Sequence, residues 1–383
     1  MKIAVPKERA PGERRVALVP DVVAKLIGAG HTVTVERGAG TAAFYPDAAY
    51  EKAGAALADG PAVYAGAEIV ARVARPSDEE LAAIPRGATL VGFLAPLGDP
   101  RSVERYAAAG ISALAMELIP RTTLAQSMDA LSSQASIGGY KAVLLAAEAL
   151  PKYFPMLTTA AGTVQPAKVF VIGAGVAGLQ ALGTARRLGA AVTGYDARTA
   201  VKEQVQSLGA KFFEIPGIEA TGQGGYAREL TPEEIGIQRA AMVKAIGASD
   251  VVITTAAVPG RKAPVLVTAE AVAAMAPGSV IVDLAAETGG NCELTRAGET
   301  VLSDNGVSII GALNLPATVP NNASQLYARN VQALLTYLIR DGVLALDPAD
   351  EIARGATIVR NGEIVHEPTR AALAGAVGGS STT

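Results

Sequence analysis

Short apolar runs alternate with stretches of helical periodicity along most of the chain. The runs Lys2–Val5, Thr32–Glu36, Glu68–Val73, Thr89–Leu94 and Ser112–Glu117 predict strands, with helices between them. Strand, helix, strand in succession predicts parallel sheets joined by crossover helices. Ser77-x-x-Glu80 has the form of a capping box, and Asp99-Pro100 sets a capping acid before a proline. Met1 to Leu131 therefore reads as one α/β unit. A helix is expected from Gln134 to Leu150, stopped by Pro151, and Pro155–Pro166 reads as a connector. A second α/β unit follows, with strands at Lys168–Ile172, Ala191–Tyr195, Ala210–Glu214, Asp250–Thr254, Ser279–Asp283 and Val307–Ile310. Asn321–Asp341 predicts a long helix that can bury Leu326, Leu334, Leu335 and Leu338. Ile358–Val365 predicts a hairpin turning at Asn361-Gly362. The residues after the second sheet are too few for another α/β domain. They are expected to return to the first. The expected architecture is thus α/β, two Rossmann-like domains with parallel sheets: residues 1–131 with 320–383, and residues 132–319. A cleft is expected where the chain crosses between them.

The length, 383 residues, suits two or three domains. Half the residues are apolar and 18% are charged, which excludes a disordered chain. Lys and Arg (33) nearly balance Asp and Glu (36), so no basic field exists to hold a nucleic-acid backbone. Cys292 is the one cysteine, and His31 and His366 are the only histidines. An internal disulfide and a thiolate zinc site built by this cysteine alone are excluded, and histidine metal clusters and most His-based triads are excluded or strained. No metal site is expected. The start, Met1 to Glu8, has no signal-peptide core. The longest uncharged run, Gly306–Ala328, is interrupted by Asn314, Pro316, Pro320, Asn321 and Asn322. No membrane span is expected, and a soluble cytoplasmic chain is the default.

The strongest chemical signal is Gly173-Ala174-Gly175-Val176-Ala177-Gly178, a G-x-G-x-x-G between an apolar strand and a helix expected over Leu179–Leu188. Gly173 permits the tight turn, Gly175 lets the backbone approach a pyrophosphate, and Gly178 lets helix and strand pack closely. The N-terminus of the following helix favours phosphate charge. The next strand ends at Asp196, eighteen residues beyond Gly178, near the place of an acid that accepts ribose hydroxyls. Such an acid repels a 2′-phosphate, so NAD(H) is expected over NADP(H). Arg198, beside Ala197, is able to hold that phosphate and leaves the alternative open.

Further segments carry candidate chemistry. Pro216–Leu230 is an aperiodic stretch with Gly222, Gly224 and Gly225 beside Tyr226. It reads as a flap with an aromatic tip or as an insertion without a role. Arg121, Gln126, Asp129 and Ser132 fall in one short loop-to-helix stretch, either a polar site or a capped helix with a solvated face. Ser249–Thr255 reads as a strand leading into Val258-Pro259-Gly260-Arg261, a loop at a strand end where cofactors bind in such sheets. Asp283 is either a catalytic acid or a strand-end cap. Cys292 lacks a base histidine nearby in sequence and is expected to be inert.

These residues together resemble the NAD(H)-binding alpha subunit of proton-translocating NAD(P) transhydrogenases. The resemblance runs nearly end to end. It includes Pro6-Lys7-Glu8, Glu13–Pro20, Arg121–Ser132, the glycine motif, Gly224–Ala227, Val282–Glu287 and Asn314–Pro320. Alanine dehydrogenases share several of these stretches. That family uses a lysine and a histidine where this chain has Ala74 and Ala95, while its carboxylate-binding arginine remains as Arg15. An alanine dehydrogenase-like amino-acid dehydrogenase is therefore the alternative, without its proton handlers. The resemblance implies direct hydride transfer between NAD(H) here and NADP(H) on a partner component. It implies coupling to proton translocation by a membrane-spanning component, and a homodimer peripheral to the inner membrane. It implies that Arg121, Gln126, Asp129 and Ser132 act at the transferring ring. It implies a cofactor site of Gly173, Gly175, Val176, Ala177, Gly178, Asp196, Ala197, Arg198, Gly225, Tyr226, Thr255, Ala256 and Val258. The hairpin and the long helix are the candidate dimer contacts.

Overall fold

Successive side chains on a strand point to opposite faces, and the central strands here, such as Ile69–Ala71, Thr89–Gly92 and Val251–Thr254, are buried on both. The computed structural model describes residues 1–220, 228, 230–257 and 262–378. The chain divides into two compact units, Met1–Gln134 with Ala317–Thr383, and Ala135–Pro316.

In the first unit, Ala56–Ala58, Thr32–Glu36, Lys2–Val5, Ile69–Ala71, Thr89–Gly92 and Ser112–Ala115 lie side by side in parallel. In chain order that is 3-2-1-4-5-6. Ile3, Val5, Val33, Val35 and Ile69 face one core, which receives Tyr327, Ala328, Val331, Leu334, Leu335 and Leu338 from the helix Pro320–Leu338. Their spacing of three and four residues sets them on one helical stripe. Ala4, Val70, Leu90 and Ala113 face the other core with Val103, Tyr106, Ile358 and Val359. Thr357–Arg360 joins Ser112–Ala115 antiparallel, and Glu363–Ile364 forms the edge. Between them Asn361 (φ 49°) and Gly362 (φ 83°) take the left-handed conformations that a two-residue hairpin turn needs. The long helix and the hairpin, expected as surface contact elements, thus contribute many of their side chains to this unit's core.

In the second unit the order is Lys211–Phe212, Ala191–Tyr195, Lys168–Ile172, Val251–Thr254, Val280–Asp283, Ser308–Gly311, again 3-2-1-4-5-6 and parallel. Thr300–Leu302 adds an antiparallel edge. Val169 and Val171 pack with Ala181, Leu182 and Ala185 on one face, and Phe170 and Ile172 with Met242 and Ile246 on the other.

The sheets expected as parallel are therefore mixed: Thr357–Arg360 enters antiparallel straight from the helix Glu351–Ala356, and short turns join Glu363–Ile364 and Thr300–Leu302 to their neighbours. The connector contains a small hairpin, Leu157–Thr159 with Gly162–Val164. The long helix ends at Leu338, before its expected limit. Asp341 and Gly342, both at positive φ, turn Ile339–Arg340 back onto Val343–Leu344. The Ser77 capping box and the Asp99 cap form, and a further capping box at Thr231 opens the helix Pro232–Gly247.

Candidate functional site

The strand order of the second unit reverses between Lys168–Ile172 and Val251–Thr254, the point where open α/β sheets place ligands. The glycine motif stands there. Gly173 has φ +95°, and a Cβ on it would lie 2.5 Å from Thr255 Oγ1. A Cβ on Gly178 would lie 1.8 Å from the Gly173 carbonyl oxygen. Both glycines are thus required by the chain's own packing. Gly175 is different: its φ is −77°, and a Cβ there would meet nothing within 4 Å among the described residues. Its bare backbone is exposed at the start of the helix Val176–Arg187, which no side chain caps among the described residues. The amides of Val176, Ala177 and Gly178 head that helix, and such first-turn amides lack intrahelical acceptors. They point their dipole at an open place, which suits a pyrophosphate.

The sequence reading missed one residue that sets these amides in place. Gly139, in the helix Ala130–Ala149, lies under Ala177, and a Cβ on it would fall 2.0 Å from the Ala177 carbonyl oxygen. The signal was the pair Gly138-Gly139 inside a helical pattern, where glycine costs stability unless close packing needs it.

Asp196 follows the strand Ala191–Tyr195. Its Oδ2 accepts from Ala174 N–H (2.8 Å) and Arg198 Nη2 (2.7 Å), and its Oδ1 accepts from Arg198 N–H (2.9 Å) and Nε (2.8 Å). Burial pushes this carboxyl's pKa up, but the bonds from Arg198 and Ala174 outweigh it and hold the group below the usual range. Ala197 carries the backbone between them, its carbonyl accepting from Ala220 N–H at 2.8 Å. Thr255 Oγ1 donates to the Gly173 carbonyl at 3.1 Å, tying the next loop to the glycine turn. Asn291 holds Ala256 from both sides: its Oδ1 accepts from Ala256 N–H (3.0 Å) and its Nδ2 donates to Ala256 O (2.8 Å). Nothing in the sequence marked Asn291, because the contact is made across the sheet end. Gly225, Tyr226 and Val258 lie outside the described residues.

Asp283 is fully buried and accepts from Thr254 and Thr295 hydroxyls and from the amides of Ala285, Asn291 and Cys292, at 2.7–3.0 Å. Five donors leave it no lone pair for a substrate, so of its two readings the strand-end cap is the one observed. Burial raises the Cys292 thiol to about 11, which keeps it from acting as a thiolate nucleophile.

In the first unit, Asp129 caps the helix Ala130–Ala149. Its Oδ1 accepts from Ser132 N–H (2.8 Å) and its Oδ2 from the Ser132 hydroxyl (2.6 Å). Gln126 is exposed on the turn Gln126–Met128, and Arg121 is exposed before it. That turn is pinned by Asn330, which donates to Ser127 O (2.9 Å) and accepts from the Ser133 hydroxyl (2.7 Å). The structure thus joins Asp129 directly to Ser132 and leaves the Gln126 amide at the surface of this unit. Arg15 is held by Glu13 (Nε to Oε1 2.8 Å, Nη2 to Oε2 2.6 Å) and by Gln134 Oε1 (2.9 Å). Ala74 and Ala95 present no proton-transfer group, and their amides donate to Glu8 and Glu117. Among the described residues, no group of three or more His, Cys, Asp or Glu is placed to hold a metal ion. No described helix is long and apolar enough to cross a membrane.

Residues 4–138 match the family described as "Alanine dehydrogenase/PNT, N-terminal domain", and residues 142–367 match "Alanine dehydrogenase/PNT, C-terminal domain". The chain is 47% identical over 377 residues to the first portion of the NAD(P) transhydrogenase alpha subunit of Rhodospirillum rubrum, covering 96% of this chain and 98% of that one. It is 31% identical over 376 residues to the alanine dehydrogenase of Bacillus subtilis, covering 96% and 93%. A solved transhydrogenase structure from Sinorhizobium meliloti superimposes with a TM-score of 0.86 at 44% identity, covering 95% of this chain and all of that one. The chain belongs to the alanine dehydrogenase/PNT family, and within it to the NAD(P) transhydrogenase alpha subunits.

Proposed function

We propose that this chain binds NAD(H) and exchanges hydride directly with NADP(H) held by a partner component, coupled to proton translocation by a membrane-spanning component. The observation that carries the dinucleotide reading is the helix start at Gly175, capped by no side chain among the described residues, at the switch point and flanked by Asp196. When bound, the dinucleotide supplies a nicotinamide carbon that gives or takes a hydride. The chain's residues do the rest. The amides of Val176, Ala177 and Gly178 receive the pyrophosphate, and Gly173 and Gly178 keep the turn tight enough for that approach. Asp196 accepts the adenine ribose hydroxyls. Ala197, Arg198, Thr255 and Ala256 border the site, and the resemblance adds Gly225, Tyr226 and Val258.

Hydride passing between two nicotinamides moves no proton at carbon, so the alanines at 74 and 95 are compatible with this reaction. An amino-acid dehydrogenase needs an acid–base group there. In this reading Gln126, Arg121, Asp129 and Ser132 serve the transferring ring. Asp129 and Ser132 fix the helix start, and Gln126 offers an amide that donates and accepts without titrating. Alignment and exclusion of water are then the main catalytic work, worth about 7–11 kcal/mol at best. Assembly as a homodimer, peripheral to the inner membrane through partner subunits, goes with this reading. Calorimetry tests the binding half: NADH binds and NADPH does not. Equal affinity for the two would overturn it.

A further inference from the structure

We infer that the guanidinium of Arg198 occupies, in the free protein, the place on Asp196 that a ribose cis-diol takes, so that dinucleotide binding here is a displacement of Arg198. This rests on the reading of Asp196 as the ribose acceptor. A carboxylate offers about four lone-pair sites, and on Asp196 four are filled. Two go to backbone amides, Ala174 N–H and Arg198 N–H. These are fixed by the glycine turn and by the chain beyond the strand end. The other two go to the Arg198 fork, Nε on Oδ1 at 2.8 Å and Nη2 on Oδ2 at 2.7 Å. Of the four donors, only those two sit on a side chain that can rotate away.

The fork also has the geometry of the diol. Two parallel donors reach the two oxygens of one carboxylate, as the 2′- and 3′-hydroxyls of a ribose would. The Arg198 side chain keeps 18% of its surface exposed, so it has a way out, whereas Asp196 keeps 9%. Arg198 therefore holds Asp196 ionised and oriented while the site is empty, and opposes the cofactor by the strength of that fork. It is a positioning residue and an internal competitor.

The test compares wild type, Arg198→Met and Asp196→Asn, with three probes: NADH, adenosine monophosphate and 2′,3′-dideoxyadenosine monophosphate. Methionine keeps the length of the side chain and removes its donors. The expected result is about tenfold or more tighter binding of NADH and adenosine monophosphate by Arg198→Met, the scale of a lost charge-assisted bond. The dideoxy probe, which has no diol to exchange for the fork, should bind both proteins alike. Arg198→Lys keeps the charge without the fork and should lie between; it decides the matter if the methionine variant does not fold. Unchanged or weaker NADH binding by the Arg198 variants overturns the displacement. If Asp196→Asn binds NADH as wild type does, the ribose assignment itself fails, whatever Arg198 does.

Discussion

Gly139→Ala adds one methyl group at the point where the helix Ala130–Ala149 meets the start of the glycine-motif helix. The new carbon would stand 2.0 Å from Ala177 O, 2.8 Å from its carbonyl carbon and 3.0 Å from its Cα. All three are backbone atoms, so no side chain can rotate to relieve the clash. Ordinary contact begins near 3.4 Å, so the two backbones must part by about 1.4 Å. Overpacking of this kind costs about 1–3 kcal/mol, and the helix preference of alanine over glycine returns up to about 1 kcal/mol. A net loss of up to about 2 kcal/mol is expected in urea unfolding. The displaced atoms belong to the turn whose amides are assigned to the pyrophosphate. Losing one hydrogen bond to a charged group is worth about 1.5–3 kcal/mol, so NADH should bind roughly tenfold to a hundredfold more weakly. Gly138→Ala is the control. Its Cβ would sit 3.6 Å from Leu284 Cδ2, in ordinary contact, and should leave NADH binding unchanged. If Gly139→Ala binds NADH and unfolds as wild type does, close packing beneath Ala177 is not what holds these amides in place.

Three further outcomes follow from other regions of the chain. Gln126→Asn shortens the reach of an exposed amide and should slow single-turnover hydride transfer strongly while leaving equilibrium NADH binding unchanged; an unaltered rate means the loop is only structural. Asp283→Ala strands four buried donors and the half-buried Thr295 hydroxyl, and should cost at least about 3 kcal/mol in urea unfolding; a loss under about 1 kcal/mol, on the order of a single surface contact, would show that the knot is dispensable. Glu117 has a raised pKa, because burial outweighs the bonds from the Ala95 and Leu94 amides, and its Oε2 is buried with no hydrogen-bond partner among the described residues. The folded state thus holds this proton more tightly than the unfolded chain, whose value is about 4.3. The stability it contributes is full below that value and lost as pH rises through the raised folded value. Glu117→Gln should flatten that decline in urea midpoints measured upward from about pH 4, and an unchanged slope would contradict the assignment.

Much of the fold could be read from the chain because buried parallel strands are written as uninterrupted apolar runs. Lys168–Ile172 and Ala191–Tyr195 were placed residue for residue. The strand Ala56–Ala58 carries no such run: one leucine between two alanines is too short to give a period. The first strand of the small hairpin at Asp341-Gly342 falls within the expected helix Asn321–Asp341, although its turn pair is in plain view. Of the site, Gly173, Gly175 and Gly178 were legible because each has a local backbone reason at a fixed offset. Gly139, Asn291 and Asn330 were not, because each acts on a segment far away in sequence. The role of Asp283 needed its five donors to be seen, and the hold of Arg198 on Asp196 needed the fork geometry.

Direct passage of hydride between a nicotinamide on this chain and one on its partner leaves an isotopic signature. It is tested by mixing the chain, loaded with an oxidised NAD analogue, with the NADP(H)-binding component loaded with NADPH deuterated at the transferring C4 position. With direct transfer the reduced analogue carries the deuterium in full, in ordinary water, and alanine added to the chain with NAD yields no NADH. A reduced analogue bearing hydrogen from solvent, or alanine-dependent NADH formation without the partner, would contradict it.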